Sequence, residues 1–157
     1  MLSILSLGSG SSGNSAVVYS DKTTILVDAG LSAMQLKKRI IEGGLDPQNL
    51  DAILITHEHS DHTKGLEVLS KSISVPVYCN SLTQEVLLEA NGSVNSWQLF
   101  ENGQKFKIGD LEVCGFSVMH DALDPVGFIF KKNDKKIGFI SDVGHVNQLL
   151  IDSVKDV

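Results

Sequence analysis

The stretch Thr56-His57-Glu58-His59-Ser60-Asp61-His62 places three imidazoles and two carboxylates within seven residues. His57 and His59 are two residues apart, so in an extended segment both side chains leave the same side of the backbone and can share one metal ion. Asp61 and His62 follow where the chain turns into the next helix, and they can present a carboxylate and an imidazole to a second ion. Neutral imidazole and carboxylate are ligands that Zn²⁺, Mn²⁺ and Fe²⁺ accept. A chain of this composition contains an H-x-H-x-D-H pattern by chance in roughly a few cases in ten thousand.

Outside this stretch the chain has two more histidines, His120 and His145. His120 follows a predicted strand at residues 111–118, and Asp142 closes a predicted strand at residues 137–141. A lone histidine or aspartate at a strand end is usually a turn residue. Beside the first motif, we interpret His120 and Asp142 as further metal ligands.

The Ser/Gly loop, Gly8-Ser9-Gly10-Ser11-Ser12-Gly13, spells G-x-G-x-x-G after a strand, with Asp28 farther along the chain. That pattern is typical of dinucleotide-binding sites, in which the glycine loop opens a helix within a unit of roughly 30 residues or more. Here nine residues separate Gly13 from Thr23, and they include the strand-like Ala16-Val17-Val18-Tyr19. A P-loop is also excluded, because no Gly-Lys-Ser/Thr follows. We therefore interpret the loop as a tight turn between strands, whose backbone N–H groups are available to an anion.

Length and composition indicate one globular domain, residues 1–157, with a hydrophobic core. The chain is 42% apolar and 20% charged, which is ordinary for a soluble protein. No run approaches the roughly 18 apolar residues that a membrane helix needs. The segment from Met1 to Leu7 lacks the positive charge and long apolar run of a signal peptide, so we predict a first strand there and a cytoplasmic location.

The net charge is −6, which argues against a protein whose whole surface binds nucleic acid. Several of the acids would be metal ligands, however, and two divalent cations would offset about four of those charges. Basic residues cluster at 37–39 and at 131–136, and the second cluster is typical of a solvated hairpin tip. Cys79 and Cys114 are too few for a disulfide scaffold, and we interpret both as small buried side chains.

The residue patterns predict a mixed sheet architecture covered by helices. The predicted strands are residues 3–7, 16–19, 23–27, 51–56, 75–79, 105–108, 111–118, 126–130 and 137–141. The predicted helices are residues 32–42, residues 63–70, a helix that the capping box Ser81-Leu82-Thr83-Gln84 opens and that ends near Asn91-Gly92, and an amphipathic helix from about Val146.

Taken together, these residues resemble the metallo-β-lactamase superfamily, whose motifs recur here in order along the chain. Asp28, in Ile25-Leu26-Val27-Asp28-Ala29-Gly30, resembles the first motif, and the His57 to His62 stretch resembles the second. His120 resembles the third and Asp142 the fourth. The resemblance implies an α/β (α+β) fold, the metallo-β-lactamase αββα sandwich, as a single domain over residues 1–157.

Three further stretches resemble the WalJ (YycJ) branch of that superfamily, namely residues 8–15, Lys64-Gly65 and residues 120–128. This branch consists of bacterial cytoplasmic proteins regarded as DNA exonucleases that act from 5′ ends. The resemblance implies a metal-dependent hydrolase, specifically a phosphodiesterase or 5′ to 3′ DNA exonuclease. It implies DNA as the partner and no membrane.

The resemblance also implies two divalent ions, Zn²⁺ or Mn²⁺ with Fe²⁺ as a further candidate. A water bridging them would be acidified to a pKa of ~7 and become the nucleophile. The implied ligands are His57, His59 and His120 for the first ion, and Asp61, His62 and a bridging Asp142 for the second.

Other residues receive roles from the same resemblance. Asp61 and His120 are the implied catalytic residues, and Asp61 would also orient the attacking hydroxide. Asp28 is expected to accept a hydrogen bond from a ligand imidazole and so to fix its tautomer. The residues expected to contact phosphate are Ser9, Ser12 and Asn14.

The chain departs from the family pattern at its end. The family domain has roughly 250 residues and a final histidine that completes the ligands of the second ion. This chain ends at Val157, and no histidine follows His145, where the branch has tyrosine. We therefore expect the C-terminal part of the fold to be missing or supplied by a partner, and the incomplete sheet to favour self-association. His145 is either a surface residue at a helix start or a substitute ligand.

Two other functions stay open on these grounds. A small-molecule hydrolase of the glyoxalase II or lactonase kind shares the same ligands. An inactive metal-binding fragment that needs a partner fits the short chain. The Ser/Gly loop and the segment after His120 favour phosphodiesters over small molecules, whereas the charge indicates no preference for DNA.

Overall fold

The computed structural model describes residues 1–90 and 93–157, and every element and contact below belongs to those residues. The strands are β1 (Leu2–Gly8), β2 (Ser15–Ser20), β3 (Thr24–Val27), β4 (Ala52–Leu54), β5 (Val77–Cys79), β6 (Trp97–Leu99), β7 (Lys105–Ile108), β8 (Leu111–Ser117), β9 (Val126–Lys132) and β10 (Lys135–Phe139). The helices are α1 (Ala33–Glu42), α2 (Ser60–Thr63), α3 (Leu66–Ile73), α4 (Ser81–Glu89) and α5 (Gln148–Ser153), with a short 3₁₀ turn at Pro47–Asn49. The end predicted for α4, near Asn91-Gly92, lies outside the described residues.

The first sheet has the strand order β1-β2-β3-β4-β5-β6. Strands β1, β2 and β3 are antiparallel neighbours, whereas β3 to β6 run parallel. Parallel neighbours need a crossover connection, and α1, α3 and α4 lie in the three connections. The carboxyl ends of β3 and β4 therefore lie at the same edge of the sheet.

The second sheet has the order β10-β9-β8-β7, and all its pairs are antiparallel. Lys132 pairs with Lys135 across the β9–β10 hairpin, so the lysine cluster at 131–136 is the hairpin tip that the sequence predicts. Because β8 and β10 are each antiparallel to β9, they run in the same direction. Their carboxyl ends also lie at one edge.

The two sheets pack face to face, and helices cover their outer faces. The layer between the sheets contains Val18, Ile25, Val27, Ala52 and Leu54 of the first sheet and Ile108, Leu111, Val113, Val126, Phe128 and Phe130 of the second. The alternating residues of the first sheet face the helices, in a second layer that contains Val17, Leu26, Ile53, Leu36, Ile40, Leu66 and Leu69. On the second sheet, Phe116 packs with Leu150 of α5. This layer order confirms the predicted αββα sandwich. None of the helices in residues 1–90 and 93–157 is long and apolar enough to cross a membrane.

Side-chain caps set the starts of α1 and α4. Ser32 caps α1, since its hydroxyl accepts a backbone N–H of the first turn. The capping box predicted at Ser81-Leu82-Thr83-Gln84 is wrong by one residue, because Asn80 caps α4 and its Oδ1 accepts the Thr83 N–H at 3.0 Å. Strand β5 ends at Cys79, so Asn80 joins strand to helix, and its extended backbone suits the cap position.

Several element boundaries differ from the prediction near the edge that carries the candidate ligands. The helix predicted at 63–70 corresponds to α3, which begins and ends three residues later, and the separate short helix α2 precedes it directly after His59. The strand predicted at 137–141 ends at Phe139, which leaves Asp142 in a loop rather than in the strand. Helix α5 begins two residues later than predicted. Strand β6 is not predicted, because its three residues are too few to show a periodic pattern.

Cys79 and Cys114 are both free thiols. Cys79 is buried, as the sequence predicts. The prediction that Cys114 is buried is wrong, because Cys114 alternates with the inward-facing Leu111 and Val113 on β8 and is partly exposed on the outer face.

Candidate metal centre

The candidate ligands, together with Asp28, follow the carboxyl ends of four strands that meet at one edge of the sandwich. In the first sheet, Asp28 follows β3 and the His57 to His62 stretch follows β4. In the second sheet, His120 follows β8 and Asp142 follows β10. Loops at the carboxyl ends of strands are the usual place for binding sites in α/β folds. The sandwich thereby brings together side chains that are far apart in sequence.

His57 lies at the centre of this cluster. Its ring centroid is 4.6 Å from that of His59, 4.1 Å from that of His62 and 4.8 Å from that of His120. The residue is only 1% exposed, and its Nε2 atom has no hydrogen-bond partner among the described residues. A buried ring nitrogen without a partner is costly unless another group binds it. The surroundings of this atom therefore favour a bound metal ion.

His57, His59 and His120 form a first donor group, whose ligand atoms all lie within 4.8 Å of one another. His120 Nε2 lies 3.3 Å from His59 Nδ1. Around a tetrahedral ion with metal–nitrogen bonds of about 2.1 Å, two donor atoms are separated by about 3.4 Å. The spacing of these two imidazoles therefore fits a divalent metal ion.

His57, His62 and Asp142 form a second donor group. Asp142 Oδ2 lies 2.5 Å from His62 Nε2 and 3.6 Å from His57 Nε2, so one carboxylate faces both imidazoles. Asp61 Oδ2 also lies 3.5 Å from His62 Nε2. Two carboxylates thus accompany the His62 side of the cluster, whereas the first group consists of imidazoles alone.

The buried carboxylate of Asp28 orients two of the imidazoles. Its Oδ2 lies 2.7 Å from His62 Nδ1 and accepts a hydrogen bond of 2.8 Å from the Thr56 hydroxyl. The same hydroxyl lies 2.9 Å from His57 Nδ1. Because a hydroxyl has one hydrogen, and this one is donated to the carboxylate, the oxygen accepts the Nδ1–H of His57. Both rings therefore carry a proton on Nδ1 and have Nε2 as the donor atom for a metal.

The pKa values of these groups are consistent with that arrangement. Burial, together with the charges of the neighbouring imidazoles, lowers the pKa of His57 to about 3, so this ring is neutral at pH 7. Burial raises the pKa of the Asp28 carboxyl. Burial also acts to lower the pKa of His62, but the hydrogen bond to Asp28 and the surrounding carboxylates raise it overall. The contact with Asp28 Oδ2 therefore favours the tautomer of His62 that has its proton on Nδ1.

Asp28 and Asp142 both have left-handed backbone conformations, with φ of 59° and 49°. Aspartate tolerates this region better than most residues, because its short side chain can hydrogen-bond locally. Non-glycine residues with unfavourable backbone angles concentrate at functional sites. The two aspartates therefore carry a backbone feature that is typical of such a site.

The Ser/Gly loop is a turn between β1 and β2 and opens no helix, in agreement with the argument against a dinucleotide site. Ser9 and Ser12 are exposed. Asn14, directly after the loop, turns inward, and its Nδ2 donates to Asp61 Oδ2 at 3.1 Å. The loop therefore lies beside the His62 side of the cluster.

His145 lies outside both donor groups. It is exposed, and its backbone pairs with Met119 in an isolated β-bridge. This placement favours the surface interpretation of His145 over the substitute-ligand interpretation.

Two polar side chains that the sequence motifs do not predict as site residues hold the loop that carries His120. Glu58 Oε1 accepts a hydrogen bond of 3.0 Å from the Leu123 N–H. Asn80 Nδ2 donates to the Asp124 carbonyl at 2.8 Å. The position of Glu58 inside the histidine-rich stretch is a sequence signal for a role at the site, whereas nothing in the pattern around Asn80 indicates this contact.

Comparison with known proteins places these features in a family. Residues 23–157 match the family model described as the beta-lactamase superfamily domain. The chain is 39% identical over 154 residues to the exodeoxyribonuclease WalJ of Streptococcus pneumoniae, covering 96% of this chain and 57% of that protein. It is 38% identical over 151 residues to the exodeoxyribonuclease YycJ of Bacillus anthracis, covering 95% of this chain and 57% of that protein. The chain thus spans 57% of the length of these curated relatives.

Solved structures agree on the fold. A metallo-β-lactamase of Cronobacter sakazakii superposes with a TM-score of 0.77 at 16% identity, covering 97% of this chain and 70% of that one. The metallo-β-lactamase fold protein YhfI of Bacillus subtilis superposes with a TM-score of 0.72 at 17% identity, covering 86% of this chain and 60% of that one. This fold implies binding of a divalent metal, and the donor groups around His57 fit such an ion. Because the family model matches most of the chain, this chain belongs to the beta-lactamase superfamily.

Proposed function

We propose that this chain forms a single metallo-β-lactamase-like domain that hydrolyses phosphodiester bonds of DNA from 5′ ends with two divalent metal ions. The proposal depends above all on the buried Nε2 of His57, which has no partner among the described residues and belongs to a histidine shared by both donor groups. The two curated relatives, both named exodeoxyribonucleases, support DNA as the substrate.

The proposed ligands are His57, His59 and His120 for one ion, and His62, Asp61 and a shared Asp142 for the other. We propose Zn²⁺ or Mn²⁺, with Fe²⁺ as a further candidate, because imidazole and carboxylate ligands suit all three. When bound, such ions lower the pKa of a water and neutralise charge on the phosphoryl oxygens.

The chain's own residues prepare the site for this chemistry. Asp28 holds the proton of His62 on Nδ1, and Thr56 does the same for His57, so that both Nε2 atoms are free to bind. Asp61 is only partly buried, and we assign to its carboxylate the orientation of the attacking water by a hydrogen bond.

The proposed contacts to DNA lie on partly exposed loops around the cluster. His120, on the loop after β8, is the second proposed catalytic residue. Ser9 and Ser12, in the Ser/Gly loop, are exposed and are proposed to contact phosphate. Because the net charge is −6, binding must depend on local contacts to the DNA backbone, and it should weaken with salt. A DNA substrate agrees with the cytoplasmic location that the sequence predicts.

The test is digestion of a short DNA duplex labelled at its 5′ or 3′ end, by the purified chain with Mn²⁺ or Zn²⁺. Exonuclease action from the 5′ end releases the 5′ label as the first product, while the 3′ label stays on long fragments at early times. His57→Ala should abolish both signals. His145→Ala, a matched exchange outside both donor groups, should leave them unchanged.

A thioester and a lactone are assayed in parallel with the DNA. Hydrolysis of either, without DNA cleavage, would replace the proposal by a small-molecule hydrolase. Metal binding without turnover of any of these substrates would indicate a fragment that needs a partner for activity.

A further inference from the structure

The backbone of Asn14 joins three loops of the candidate metal centre. Its N–H donates to the Asp61 carbonyl at 2.7 Å, and its carbonyl accepts the Gly30 N–H at 3.0 Å. Asn14 follows the Ser/Gly loop, Gly30 follows β3, and Asp61 lies in α2. Both backbone polar groups of Asn14 are therefore engaged, and its side chain starts from a fixed point beside Asp61.

The side-chain amide of Asn14 has one possible orientation. Its Oδ1 accepts the Gly10 N–H at 3.0 Å, and its Nδ2 donates to the Gly10 carbonyl at 3.0 Å. The reverse orientation would bring the two donors together and the two oxygens together. The pair of contacts to Gly10 therefore fixes which atom of the amide is the donor.

The second hydrogen of the Asn14 amide points to the metal centre. Nδ2 lies 3.1 Å from Asp61 Oδ2 and 3.2 Å from His62 Nε2. His62 Nε2 is the proposed metal-binding atom, so with a metal bound the hydrogen is available to the Asp61 carboxylate alone. Asn14 therefore donates one amide hydrogen to the Gly10 carbonyl and the other to the Asp61 carboxylate, so that both amide hydrogens have an acceptor.

We infer that Asn14 is a positioning residue that holds the Asp61 carboxylate against the His62 side of the metal centre. This inference rests on the proposed function, because it takes Asp61 and His62 as metal ligands. It replaces the expectation that Asn14 contacts phosphate, since both of its amide hydrogens already have acceptors within the protein. The Ser/Gly loop thus also helps to position the Asp61 carboxylate, because Gly10 fixes the Asn14 amide that contacts it.

The test is a double-mutant cycle on metal affinity, which measures whether Asn14 acts through Asp61. Zn²⁺ is titrated calorimetrically into the parent chain, Asn14→Ala, Asp61→Ala and the double variant. Supporting contacts to metal ligands are worth about 10–100-fold in affinity. We therefore expect Asn14→Ala to weaken one Zn²⁺ site by that factor, and to have less than about a twofold effect once Asp61 is already alanine. The control Ser11→Ala, an exposed change in the same loop, should leave the affinity unchanged.

A second variant separates positioning from loop folding. Asn14→Ser keeps a hydroxyl for the Gly10 backbone but is too short to reach Asp61, so it should lose Zn²⁺ affinity while its melting temperature without metal stays close to that of the parent. The inference is overturned if both Asn14 variants bind Zn²⁺ within twofold of the parent. It is equally overturned if Asn14→Ala has its full effect in the Asp61→Ala background. A parent chain that binds no metal would instead overturn the proposed function.

Discussion

Asp28 Oδ2 lies 2.7 Å from His62 Nδ1, although the two residues are 34 positions apart in sequence, and both side chains are fully buried. A buried carboxylate costs free energy unless it is hydrogen-bonded. Asp28 meets this requirement, because it also accepts the backbone N–H and the hydroxyl of Thr56. The ring orientations of two candidate ligands, His62 directly and His57 through Thr56, therefore depend on one buried acid.

Asp28→Asn should weaken metal binding by about 10–100-fold. An amide nitrogen facing His62 and the Nδ1–H of the ring would both be hydrogen-bond donors. The ring would therefore move its proton to Nε2 and lose its metal-binding atom. Calorimetric titration with Zn²⁺ measures the effect. The control Asp134→Asn makes the same chemical change in the exposed β9–β10 turn and should leave the Zn²⁺ affinity unchanged. Equal affinities for Asp28→Asn and the parent would show that Asp28 does not orient a ligand.

Gly30→Ala should destabilise the chain by at least about 3 kcal/mol. A Cβ at position 30 would lie 1.8 Å from the Asp61 carbonyl oxygen and 2.5 Å from the Asn14 backbone nitrogen, so the loops around the site would have to separate. Urea unfolding measures the loss. At Gly44, a Cβ meets no atom within 4 Å and φ is +82°, so Gly44→Ala should cost only about 1 kcal/mol. Equal losses for the two variants would be incompatible with close packing at Gly30.

Asp110→Asn should lower stability at pH 7 by about 1 kcal/mol. Asp110 accepts hydrogen bonds from Ser20, Thr23 and Lys132 at 2.6, 2.7 and 3.0 Å, and these contacts tie the β7–β8 turn of one sheet to the β2–β3 turn of the other.

The contribution of Asp110 should depend on pH. Its hydrogen bonds to Ser20, Thr23 and Lys132 hold the pKa of the carboxyl well below its usual range. A lowered pKa stabilises the fold above the unfolded value of about 3.9, and this contribution disappears as the pH falls through the folded value. Urea unfolding at several pH values should show the gap between parent and Asp110→Asn constant above about pH 5 and shrinking below pH ~4. A gap that widens in acid would contradict the assignment.

Cys79 should be unreactive in the folded chain. Burial raises the pKa of its thiol to about 12, and the thiolate is the reactive form. The partly exposed Cys114 should react first with a chromogenic disulfide at pH 8, and Cys79 should follow only after denaturant is added. In Cys114→Ser, no thiol should react before unfolding. Rapid reaction of two thiols in the native parent would show that Cys79 is accessible.

The proposed metal ligands could be selected from the sequence because their chemistry is local. A two-residue spacing in an extended segment places His57 and His59 on one side, and a family resemblance supplies His120 and Asp142 at strand ends. The contacts behind these ligands could not be predicted in the same way. The Asn14–Asp61 contact spans 47 positions, and it depends on the backbone register between the Ser/Gly loop and the segment after β4.

The helices and strands show the same contrast between local patterns, which can be predicted, and tertiary contacts, which cannot. Long or strongly patterned elements such as α1 and β8 match the prediction within one or two residues. Strand β6 has three residues and forms through its parallel pairing with β5, which is a tertiary effect. The end of β10 at Phe139 likewise depends on its partner β9, since Phe139 is the last residue of β10 that pairs.

The decisive measurement for the metal centre is the metal content of the purified chain, determined by elemental analysis beside His57→Ala and His145→Ala. His57 belongs to both donor groups, whereas His145 is exposed and belongs to neither. We expect the parent and His145→Ala to retain at least one divalent ion per chain after dialysis, and His57→Ala to retain none. Unchanged metal in His57→Ala, or its loss in His145→Ala, would contradict the assignment of the metal centre.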